Sequence, residues 1–140
     1  MKKLLTIFVL FLGLGLTNAQ EKKVLTFDET VAYINDKVGA NRAYLVEYIS
    51  SITANQNGEV TFNFSNRSPS KKINLFSLTK EISISEPTAY APRYLWFHFS
   101  GGDYSLLRLG DDNLADLQKL KKAFEHLKSL SKKTKDPFED

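Results

Sequence analysis

Asn57-Gly58, followed by the strict alternation of Val60, Phe62 and Phe64 with Glu59, Thr61, Asn63 and Ser65, narrows the fold more than any other stretch of the chain. Asn-Gly accepts the positive φ angles of a tight hairpin turn, and a period of two puts every apolar residue of the run on one face of a strand. A half-buried strand that begins at such a turn requires an antiparallel partner just upstream. Residues 43–53 stand in that place, with Tyr44, Leu45, Val46, Tyr48, Ile49 and Ile52. Their composition is that of a strand, their spacing fits helix and strand alike, and the clear strand downstream favours strand.

Further strands follow. A polar loop over 66–72 contains Pro69, β-like runs occupy Ile73 to Phe76 and Ile82 to Ile84, and the stretch from Pro87 to Pro92 reads as loop. From Tyr94 to Leu109, Leu95, Phe97 and Phe99 alternate with Tyr94, Trp96 and His98 before Gly101-Gly102-Asp103. A three-residue turn there predicts Leu95 opposite Leu109 and Phe97 opposite Leu107 on one face, with Trp96 opposite Arg108 and His98 opposite Leu106 on the other.

Helices are expected at both ends of this strand-rich middle. Thr26-Phe27-Asp28-Glu29 has the form of a capping box, Phe27, Val31, Ile34 and Val38 share one helical face, and Gly39 suits the residue after the helix. Asp111, Asp112 and Asn113 offer caps for a second helix whose apolar stripe is Leu114, Leu117, Leu120, Phe124, Leu127 and Leu130. The expected fold is α+β: an N-terminal helix, a curved antiparallel sheet or partial barrel of five or six strands, and a C-terminal amphipathic helix packed on it.

Residues 1–19 have the form of an export signal. Lys2 and Lys3 give a positive start, Leu4 to Leu16 an apolar centre, and Thr17-Asn18-Ala19 a small-residue cleavage site. The run is short for a bilayer span and polar residues follow at once, so cleavage is expected and no transmembrane anchor after it. Residues 20–130 then form a single α+β domain, and 131–140 a charged tail with Pro137 that is expected to be disordered. Without Lys2 and Lys3, 17 of the 19 basic residues face 16 acidic ones, a net charge of +1 that gives no general affinity for nucleic acid. The absence of cysteine excludes disulfides, thiolate metal sites, a thiol nucleophile and a lipidated cysteine. These features suit a bacterial exported protein, periplasmic or extracellular.

For function, the aromatic face Tyr94, Trp96 and His98 with Arg108 is the candidate binding surface, on which Arg108 could stack on Trp96. Displayed rings of this kind suit a protein, peptide or glycan ligand. The structural alternative is a second core layer covered by the helices. His98 and His126 have no metal-ligand or triad spacing, so no cofactor, no metal and no catalytic residue is assigned. Asp103, Asp111 and Asp112 read as turn and cap residues, and the acceptor patterns at Asn63 and Asn66 as accidental in a bacterial protein. Two other functions compete with binding. One is a small hydrolase joining His98 with Asp103 or Glu47; the other is attachment to the cell envelope through the seven lysines between Lys119 and Lys135.

The helix TFDETVAYINDKV, the strands and the closing LADLQKLKKAFEHLKSL together resemble small exported proteins of unknown function from flavobacteria and their relatives. The matched positions are Glu29, Thr30, Tyr33, Ile34, Asn35, Ala123, Phe124, His126 and Leu127. The resemblance implies export and a similar fold and brings no activity with it. Strands closed by a C-terminal helix are also similar to the pleckstrin-homology-like architecture, which has seven strands where six are expected here.

Overall fold

The computed structural model describes residues 23–40, 49–65, 69–89, 93–102, 104–107 and 114–133. The expected export signal, residues 43–48, Arg108, Asp103, the caps at 111–113 and positions 134–140 lie outside them. Helix α1 spans Phe27–Ala40. Strands β1 (Ile49–Ala54), β2 (Glu59–Phe64) and β3 (Lys71–Asn74) come next, then a 3-10 turn at Leu75–Ser77. Strands β4 (Ser83–Ile84), β5 (Leu95–Phe97) and β6 (Tyr104–Leu107) precede helix α2 (Leu114–Leu130).

The α+β class is as expected, whereas the single curved sheet is not. Two antiparallel sheets form, in the orders β1-β2-β3 and β4-β5-β6, and no closed barrel exists among the described residues. The division falls at the 3-10 turn, where the Asn74 side chain accepts a hydrogen bond from the Phe76 amide at 2.8 Å and turns the chain out of β3.

The capping box forms as its residues dictate. The Thr26 amide donates to the Glu29 carboxylate at 2.9 Å, and the Glu29 amide to the Thr26 hydroxyl at 3.4 Å. Thr30 is fully buried, and its hydroxyl donates to the Thr26 carbonyl at 2.7 Å. The helix runs through Ala40, so Gly39 lies within it and not past its end.

β1 holds the expected place beside β2, with one irregularity that explains its ambiguous spacing. Ile49 pairs with Phe64, but Ser51 pairs with Asn63, so Ser50 is an extra residue. This bulge turns both Ile49 and Ile52 inward although they lie three positions apart. Along β2, Val60 and Phe62 are fully buried, as alternation requires. At the hairpin turn Gly58 has φ +78°, and a Cβ there would sit 2.8 Å from the Phe76 ring.

Three rings join the two sheets to α2. Phe62 of β2 lies 5.9 Å from Phe97 of β5 and 6.1 Å from Phe124 of α2, and Phe97 meets Phe124 edge-on at 5.2 Å. Leu117, Leu120, Ala123, Phe124 and Leu127 form the buried stripe of α2, while Leu114 and Leu130 at its ends are exposed. The C-terminal helix does not simply cap one sheet: it packs on α1 and approaches β4, and α1 in turn covers β1.

The last hairpin departs from its expected register. Leu95 pairs with Leu107, Trp96 with Ser105 and Phe97 with Tyr104, with a bulge between the first two pairs. Leu107, Ser105 and Tyr104 thus hold the places opposite Leu95, Trp96 and Phe97 for which Leu109, Arg108 and Leu107 are expected. The shift goes with Leu106 as an extra residue in β6 and with a turn in which the Gly102 amide donates to the Phe99 carbonyl at 3.2 Å; on the opposite edge, the one that carries β4, Phe99 forms a bridge with Leu78 and the Thr79 amide donates to the His98 carbonyl at 2.9 Å. β5 ends early, and the loop to β6 is wider than three residues.

Candidate functional site

Alternation along β5 sends Leu95 and Phe97 to full burial and leaves Tyr94, Trp96 and His98 half-buried on the opposite face. The Tyr94 and Trp96 rings meet edge to face at 6.3 Å, with 64° between their planes. Two serines of the neighbouring segment fix this row. The Ser85 amide donates to the Tyr94 carbonyl at 3.0 Å and the Tyr94 amide to the Ser85 hydroxyl at 2.9 Å. Ser83 pairs with Trp96 across β4 and β5, and its hydroxyl lies 2.8 Å from Nε2 of His98.

Three of the four residues expected at the aromatic surface are thus brought together. Arg108 lies outside the described residues, and Ser105 takes the place opposite Trp96. The arginine placed next to the row is Arg93, whose guanidinium donates to the exposed Glu86 carboxylate at 2.8 Å. The serines are what the sequence did not announce. β4 is only two residues long, too short for a period to show which residues face Trp96.

His126 is far from this face in role. Its Nε2 donates to the Leu25 carbonyl at 2.8 Å and ties the segment before α1 to α2, the structural duty its place at the edge of the stripe suggests. Among the described residues, no group of three or more His, Asp and Glu side chains is arranged to hold a metal ion.

A concave surface lies between α2 and the segment that joins the sheets. One part, of about 500 Å³, has Leu78 and Ile82 in its lining with Lys80 and Lys128; a second, of about 660 Å³, is lined by Gln118, Lys121 and Lys122. Glu81 and Glu125 line both. Glu125 pairs with Lys121 at 3.7 Å, a surface ion pair of small energetic value, and the Lys128 ammonium lies 5.9 Å from the centre of the Phe76 ring.

Among the described residues, the strongest electrostatic shift belongs to the start of α1 and not to either surface. The Lys23 ammonium 2.6 Å away, then the amide and hydroxyl of Thr26, hold the Glu29 carboxyl below its ordinary 4.5, at about 2. Burial pushes Lys71 of β3 below the usual lysine value. Among the described residues, no helix is long and apolar enough to cross a membrane.

Comparison with protein-family models, with curated proteins and with solved structures finds no match to this chain.

Proposed function

We infer that the chain is a non-catalytic binding module, exported to the periplasm or the outside of the cell, that receives a protein, peptide or glycan on the face of Tyr94, Trp96 and His98. The observation that carries this reading is the edge-to-face Tyr94–Trp96 pair on the outer face of the second sheet, with the Tyr94 backbone held by Ser85 and the neighbouring His98 imidazole by Ser83. Rings fixed before binding lose little entropy when a ligand arrives, and they offer apolar area beside hydroxyl and imidazole hydrogen-bonding groups. Arg108 stays in the proposed contact set.

Trp96 is the only tryptophan, so its emission reports this face alone. Glycan and peptide arrays probed with the protein should give ligands that shift this emission and are lost on Trp96→Ala. Ligands retained in full by that variant would remove the face from consideration.

A hydrolase is the second reading, and the Ser83–His98 hydrogen bond is the observation in its favour, since an imidazole beside a hydroxyl is the first half of an activated nucleophile. Labelling of Ser83 by a fluorophosphonate, abolished by His98→Gln, would favour it; an unlabelled Ser83 would exclude it.

A further inference from the structure

The trough between α2 and residues 78–82 distributes its charge unevenly, and the pattern selects an occupant. Lys80 and Lys128 stand at the end that has Leu78 and Ile82 in its lining, and Lys121 and Lys122 at the other. Glu81 and Glu125, shared by both parts, mark the junction. Four lysines against two glutamates leave the trough positive, which raises the local concentration of anions. Lys80 and Lys122 are exposed, and neither forms part of the core.

A uniform polyanion would press its charge against Glu81 and Glu125 at the junction, and a flat bilayer surface does not enter a concave trough. A polypeptide avoids both difficulties. It can set one carboxylate at each end, pass uncharged residues across the junction, and lay an aliphatic side chain on Leu78. We propose that this trough docks an acidic peptide segment of a partner protein, with Lys80 and Lys122 as the two anchoring cations. The surface is separate from the aromatic face, although the backbone joins them where the Thr79 amide meets the His98 carbonyl.

The test is selection of a random heptapeptide library, displayed on phage, against the immobilised protein, followed by affinity measurements on the synthesised winners. Enriched peptides should carry two acidic residues separated by uncharged ones. Their affinity should fall about tenfold in K80Q/K122Q and again as salt rises above about 150 mM, the loss expected of screened surface charges. It should be unchanged in Trp96→Ala, which separates this surface from the aromatic one. Circular dichroism of K80Q/K122Q should match the parent, since both positions are exposed. Absence of enrichment, or winners that bind K80Q/K122Q as tightly as the parent, overturns the proposal. Retention of polygalacturonate or of phosphatidylglycerol vesicles through the same two lysines, in preference to the peptides, also overturns it and assigns the trough to a polyanion or a membrane.

Discussion

The two sheets share a meander topology and differ in almost everything that decides what a sheet is for. The first has strands of four to six residues, a turn in which Gly58 fits under Phe76, and a β1 edge partly covered by α1. The Asn35 side-chain amide donates to the Ile52 carbonyl at 3.0 Å and accepts from the Ile52 amide at 2.7 Å, replacing there the strand that an open edge would invite. The second sheet has strands of two to four residues, and its outer face is built of rings and hydroxyls. The first is covered along one edge and the second carries a row of half-buried rings on one face, with Phe124 bridging the two.

Removing that bridge has the largest expected effect. Phe124→Ala deletes a fully buried ring that touches Phe62 and Phe97, and such truncations cost about 3–5 kcal/mol. In urea denaturation the midpoint should fall steeply while far-ultraviolet circular dichroism and Trp96 emission continue to change together. Two separate transitions would show that the sheets fold as independent units and would break the picture of a shared core. Phe124→Asp should not fold at all.

Asn35→Leu probes the first sheet alone. It leaves the Ile52 amide and carbonyl without their partner, at a cost of about 1–3 kcal/mol, and the Ile52 amide should exchange with deuterium far faster. Trp96→Ala, in the half-buried aromatic row, should cost less stability than Asn35→Leu. The reverse order, read from urea midpoints, would mean that the aromatic row is a core layer and not a surface.

Legibility in the sequence follows the same division. The capping box, the Asn57-Gly58 turn, the alternation in β2 and the α2 stripe are local patterns, and local patterns survive folding. The split into two sheets rests on the Asn74 cap and a three-residue 3-10 turn, which leave no periodic trace. The register of the last hairpin turns on one extra residue, Leu106, in β6 and on a loop after Phe97 wider than three residues, and a rule that counts turn residues foresees neither. At the candidate site, alternation correctly placed Tyr94, Trp96 and His98 on one face. Ser83, Ser85 and the lysine-lined trough come from tertiary packing, and no spacing could have announced them.

The smallest effect expected is confined to the first region and comes from Glu29. Its carboxyl is held at about 2 against an ordinary 4.5, first by Lys23 and then by the Thr26 amide and hydroxyl. A carboxyl with a folded-state value below its unfolded one stabilises the fold fully above the unfolded value and loses that contribution as pH falls through the folded one. Melting temperatures of the parent and Glu29→Gln should therefore differ by a constant amount from neutral pH to about 4.5, converge between 4.5 and about 2, and coincide below it. Lys23→Gln removes the largest cause of the shift, so in that background the loss should still begin at about 4.5 but be complete at a higher pH. Because α1 covers β1 and not the aromatic row, Trp96 emission before the transition should be identical in all three proteins. A change in that emission on Glu29→Gln would show that the start of α1 is coupled to the aromatic row, and the separation of the two regions would fail at its most sensitive point.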